Sequence, residues 1–171
     1  GSRIDERLRA VSAALGERSI DCLRFDYGAW DGGRGERTDA LNAVAWAEER
    51  YDRVGLFGYS FGGAVALSAA ARGADVEAVS ALAPPARLGG ERAEDDAIDG
   101  VDVVADLPAV PALTRIQVCY GTRDDVVDVG PVVGCARAHG HEVAEFAAGH
   151  LFVGQSGAIA AAVADFLTPL L

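Results

Sequence analysis

A serine set among glycines, Gly58-Tyr59-Ser60-Phe61-Gly62-Gly63, is the segment of this chain best suited to nucleophilic chemistry. A serine hydroxyl attacks a carbonyl only when a base takes its proton and an acid orients the base. Both lie downstream, in Gly121-Thr122-Arg123-Asp124-Asp125-Val126-Val127 and in Ala148-Gly149-His150-Leu151-Phe152. The order is serine, acid, histidine. By residue type the acid is open among Asp124, Asp125 and Asp128. His139 and His141 compete with His150 for the base, but they flank Gly140 between a predicted helix and strand, where exposed turn residues are common.

The GxSxG spacing arises by chance in a chain with 21 glycines and seven serines, so its setting matters more than its pattern. Residues 53–59 read as a short buried strand, and the small helix formers of 64–71 follow at once. A strand reversing into a helix through so tight a turn holds the serine in a strained conformation, and side chains two residues to either side are expected to collide. The helix then aims its first N–H groups at developing negative charge. Gly154-Gln155-Ser156-Gly157 nearly repeats the pattern, but no strand precedes it, and Ser156 reads as a helix N-cap.

The elements that must position these groups alternate along the chain. Ile4, Leu8, Val11 and Leu15 recur at a helical period that Gly16 ends. Strands are expected at 20–27, 53–59, 76–83, 115–120 and 142–147. Helices are expected from an N-cap at Thr38 to about residue 50, and over 64–71, 101–106, 130–138 and 156–167. Residues 86–99 read as an exposed loop, with Glu94 to Asp96 as solvated surface. Such alternation predicts an α/β fold: a three-layer α/β/α sandwich around a mostly parallel sheet, as a single domain over residues 1–171.

Composition removes several alternatives. Half of the 171 residues are apolar, which excludes global disorder, and no apolar run is long enough to span a membrane. With 26 acidic residues against 15 basic ones, all arginine, the net charge of −11 repels nucleic acid and anionic lipid. The acidity and the absence of lysine read as adaptation to a high-salt cytoplasm, with GC-rich codon usage as the alternative. Cys22, Cys119 and Cys135 form neither a disulfide framework nor a zinc motif. Cys22 and Cys119 are expected as buried thiols in a reducing cytoplasm. No metal or cofactor motif is present, and nothing in the sequence reports an oligomeric state.

The segments GYSFGG, GTRDDVV and AGHLF, together with LRFDYGAWDGG, resemble the α/β-hydrolase superfamily, especially its small, cap-less dienelactone-hydrolase-like and esterase-like members. The resemblance covers nearly the whole chain. It implies Ser60 as nucleophile, Asp124 as acid (the third residue after Gly121) and His150 as general base. The N–H of Phe61 is then one oxyanion donor, and Tyr27, Trp30 and Tyr59 are candidates for an acyl pocket. A serine where dienelactone hydrolases proper carry cysteine implies ester or thioester chemistry, with a small substrate expected from the lack of room for a lid. About thirty residues separate the strands between which a lid would be inserted, so an open site is expected.

Set against the family's order, the first helix and the five strands correspond to helix A and strands four to eight. Strands one to three have no counterpart. The family's third strand lies between its fourth and fifth, and the loop after it gives the second oxyanion N–H. Its absence predicts either direct pairing of residues 20–25 with 54–58 or a gap in the sheet. Together with a start at Gly1-Ser2 and the lack of methionine, this reads as part of a longer protein, with residues 1–3 as the tail of that loop.

Overall fold

The protein is described by a computed structural model covering residues 2–89 and 100–171. Among the described residues the main sheet has four strands, β1 (Gly55–Tyr59), β2 (Ala78–Leu82), β5 (Arg115–Gly121) and β6 (Glu142–Phe146), in the order β1-β2-β5-β6 and all parallel. Between them β3 (Arg87–Leu88) and β4 (Val101–Asp102) make a small antiparallel pair. The helices α1 (Glu6–Gly16), α2 (Arg34–Glu48), α3 (Phe61–Ala71), α4 (Val103–Asp106), α5 (Gly130–Ala138) and α6 (Ser156–Leu167) cover the sheet.

Strand alternation divides the interior into two cores. Val79, Ala81, Ile116 and Val118 face one way and pack with residues of α2, α3 and α5. Ala78, Leu82 and Cys119 face the other way and pack with Val11 and Leu15 of α1 and with α6. Because β2 is covered on both faces, all five of its residues are buried, and its sequence is apolar except at Ser80. Ser80 is satisfied across the sheet. It donates to Gln117 at 2.8 Å, and Gln117 donates to Glu142 at 2.6 Å. These three residues are register partners on successive strands, so a one-residue slip would break both bonds.

Several expectations change. Residues 20–27 are not a strand: no ladder forms between them and 54–58, and Cys22 is exposed rather than buried. The β-prone side chains are present, but the backbone of 21–27 has no hydrogen-bonded neighbour among the described residues. Side chains hold the segment instead, with Asp26 accepting from the Arg3 N–H at 2.7 Å and Asp21 from the Tyr51 hydroxyl at 2.9 Å. The N-cap of α2 is Gly33, at φ 96°, rather than Thr38; Glu36 closes the turn by accepting from the Gly33 N–H. Residues 101–106 begin as β4 before turning helical. The N-cap of α6 is Gln155, and Ser156 donates its hydroxyl to Glu6 at 2.8 Å. Residues 94–96 lie outside the described residues, and Leu88 in the expected loop is buried.

The Ser60 N–H donates to Leu82, which sets the parity of β1: Leu56 and Gly58 face β2. Gly55, Phe57 and Tyr59 therefore turn their N–H and C=O groups the other way, where no protein partner is found among the described residues. Across from them, beyond a cavity of about 810 Å³, run residues 20–25 and Tyr27. Hydrogen exchange tests this arrangement. The amides of Phe57 and Tyr59 are expected to exchange far faster than those of Leu56 and Gly58; equal protection would show that the outer edge is paired.

Candidate active site

Three chain reversals at the carboxyl end of the sheet build the site. In the first, β1 ends at Tyr59 and α3 begins at Phe61, leaving Ser60 alone between them at φ 52°, ψ −119°. A non-glycine residue held there stores about 1–3 kcal/mol of strain. Its N–H donates to Leu82 at 2.7 Å, and its C=O accepts from Gly63 at 2.9 Å and Ala64 at 3.2 Å. A Cβ on Gly58 would stand 2.2 Å from the Gly62 carbonyl oxygen, so only glycine fits. On the other flank the tight position is Gly63 rather than Gly62. A Cβ at Gly63 would lie 3.1 Å from the Gly58 oxygen, whereas one at Gly62 meets only the Tyr27 hydroxyl at 3.6 Å.

The second and third reversals follow β5 and β6. Because these strands are neighbours, their outgoing loops meet. The N–H groups of Thr122 and Arg123 donate to Phe146 and Ala148 at 2.8 and 3.0 Å. Gly121 permits this: a Cβ there would lie 2.4 Å from the Ala148 oxygen. Oδ1 of Asp124 accepts from the N–H groups of Val126 and Val127, both at 3.0 Å, which fixes the carboxylate and leaves Oδ2 free to face His150. Burial pulls the Asp124 pKa upwards, but the Val127 N–H, the His150 ring and the Val126 N–H outweigh it and hold it below the usual value.

His150 joins the loops to the serine. Its Nδ1 is 2.7 Å from Asp124 Oδ2, and its Nε2 is 3.0 Å from Ser60 Oγ. A carboxylate only accepts, so Nδ1 carries the proton and Nε2 is left to accept from the serine hydroxyl. The ring is buried, which shields it from bulk solvent. The other candidates lie elsewhere. Asp125 and Asp128 are exposed, and Asp128 accepts from Gly130 instead. His139 and His141 stack on each other with ring centroids 6.3 Å apart, and His139 Nδ1 is 2.9 Å from the Cys135 carbonyl oxygen.

The cavity beside β1 reaches Ser60, Phe61 and His150 and is lined by Tyr27 and Tyr59. Burial, with Asp39 and Glu36 nearby, pushes the Tyr27 hydroxyl up to about 12, so it stays neutral. Trp30 is exposed and stands outside the cavity, with its ring centroid 5.4 Å from that of Phe61. The N–H groups of Phe61 and Gly62 have no protein acceptor among the described residues, as the first turn of a helix allows. At the amino end, in the segment expected to be the tail of the oxyanion loop, the Arg3 N–H is committed to Asp26. Among the described residues no cluster of three or more histidine, cysteine or carboxylate side chains could hold a metal ion, and no helix is long and apolar enough to cross a membrane.

Two contributors were not anticipated. Gly121 had a signal, since a glycine ending an apolar strand marks close backbone approach. Arg7 had none: it donates to the Leu151 carbonyl oxygen, 144 positions away.

Solved structures share this architecture, which is the α/β-hydrolase fold. An esterase from Pyrococcus furiosus superimposes with a TM-score of 0.81 at 19% identity, over 99% of this chain and 78% of its own. Est1E from Butyrivibrio proteoclasticus gives 0.76 at 17% identity, over 99% and 84%. A serine hydrolase without a lid from Xanthomonas campestris gives 0.74 at 22% identity, over 100% and 76%. No family model and no curated protein matches the sequence.

The strain at Ser60 is measurable. Ser60→Gly and Ser60→Ala both remove the hydroxyl, but only glycine tolerates the positive φ. Ser60→Gly is expected to be the more stable by about 1 kcal/mol in urea unfolding. Equal stability would mean that the backbone at this position is relaxed.

Proposed function

We propose that this chain is a serine hydrolase that cleaves a carboxylic ester or thioester of a small substrate through an acyl-Ser60 intermediate. The observation that carries the reading is the unbroken chain from Asp124 through His150 to a serine on a strained turn, with contacts of 2.7 and 3.0 Å. As Ser60 Oγ attacks the carbonyl carbon, its proton passes to Nε2 and the carbonyl electrons move onto oxygen. Asp124 keeps Nδ1 protonated and stabilises the imidazolium. The carbonyl re-forms as the alcohol or thiol leaves with the proton from Nε2. Water then repeats the sequence against the acyl-serine and releases the acid.

The N–H of Phe61 donates to the oxyanion, aided by the start of α3. Loss of one such donor costs about 2.7–4 kcal/mol of transition-state stabilisation, so the number of donors sets the rate. Two observations favour a second reading, a hydrolase-like scaffold that binds without turnover: the Arg3 N–H is spent on Asp26 and the edge of β1 beside Ser60 is open.

Hydrolysis of p-nitrophenyl acetate and butyrate, in low and in molar salt, separates the two. Turnover is expected from the wild-type chain, with loss by roughly 10³–10⁴-fold in Ser60→Ala and in Asp124→Asn. A folded wild-type chain without turnover would favour the scaffold.

The depressed Asp124 pKa adds a linkage test. Its stabilising contribution is complete above the unfolded carboxylate value of about 4 and is lost as pH falls through the lower folded value. The stability advantage of the wild type over Asp124→Asn is therefore expected to shrink as pH drops below about 4. A gap independent of pH would show that Asp124 is not held ionised by these contacts.

A further inference from the structure

The loop that carries His150 has no regular structure between the end of β6 and the start of α6, yet its imidazole must be held to a fraction of an ångström. The bonds between the Asp124 and His150 loops hold one side of it. On the other side, the carbonyl oxygens of His150 and Leu151 accept from two side chains that belong to neither loop. The Tyr59 hydroxyl donates to His150 at 3.0 Å, and Nη1 of Arg7 donates to Leu151 at 2.6 Å.

We propose that Arg7 is a positioning residue for His150, acting through the Leu151 carbonyl and through Tyr59. Asp5, the N-cap of α1, grips the guanidinium with both carboxylate oxygens, Oδ1 at 2.9 Å from Nε and Oδ2 at 2.5 Å from Nη2. Two parallel bonds fix the plane of the group and leave Nη1 aimed at Leu151. The same plane covers Tyr59, with Cζ 4.1 Å from the ring centroid, and the Tyr59 ring lies 5.4 Å from the imidazole at 36°. One cation thus restrains the histidine loop directly and holds the tyrosine that restrains it a second time. Lysine cannot replace it, because the task needs a flat group with one pair of parallel donors and a third aimed elsewhere.

This role is separable from packing. Leu151 is 63% exposed, so water can satisfy its carbonyl group once Arg7 is removed, and any loss of packing is read separately as a change in Tm. The proposal rests on the hydrolase reading for its kinetic readout and stands apart from it in a second one. In Arg7→Met, which keeps the stem but not the donors, kcat for p-nitrophenyl butyrate is expected to fall roughly 10–100-fold with KM nearly unchanged. Arg7→Lys should not restore it, whereas millimolar guanidinium chloride added to Arg7→Ala should do so in part. Independently of turnover, proton NMR should find the His150 Nδ1 proton in the wild-type chain and lose it to rapid exchange in Arg7→Met. Normal kcat with a retained proton signal, or a lowered Tm with that signal retained, would overturn the proposal. If the wild type has no turnover, the hydrolase reading fails and the proton signal alone decides the role of Arg7.

Discussion

The backbone of Ser60, held at φ 52°, is the constraint around which the site is arranged. A strand entering a helix with one residue between them must reverse within a few ångströms, and the 2.2 Å clearance at Gly58 shows how little room remains. That reversal lifts the hydroxyl clear of the sheet and sets it at the start of α3. The strain is affordable because both sides of the turn are anchored, by β1 pairing with β2 and by a buried helix of small residues. Two neighbouring strands then deliver Asp124 and His150, laced together by backbone bonds and by the close approach of Gly121 to Ala148.

The outer edge of β1 sets a second condition. Gly55, Phe57 and Tyr59 present three N–H and three C=O groups to a cavity whose other walls carry Leu8, Val11, Leu15, Phe25 and Val44. Water can satisfy the backbone groups. A hydrocarbon chain filling the same space would displace that water and leave each group unpaired, at about 1–3 kcal/mol apiece. Only groups that can themselves hydrogen-bond to this edge fill the space without that cost.

Much of this was legible in the sequence because local rules and global structure agree. Strands 55–59, 78–82, 115–121 and 142–146 follow apolar runs, and the order Ser60, Asp124, His150 puts each group just after a strand. Segment 20–27 was misread because β-propensity describes side chains, while a strand exists only where a second backbone lies within reach. The choice between Gly62 and Gly63 depends on which atoms the turn brings near, and spacing does not encode that. Arg7 was invisible for a related reason: an arginine on an amphipathic helix looks like solvated surface until the fold brings Leu151 to it.

The most direct test is covalent. The full chain, treated with a fluorophosphonate probe in low and in molar salt, is digested and the adduct located by peptide mass spectrometry. A single adduct on Ser60, slowed in Asp124→Asn, is the expected result. A folded chain that takes up no probe, or carries it on another serine such as Ser156, would contradict the assignment of Ser60 as an activated nucleophile.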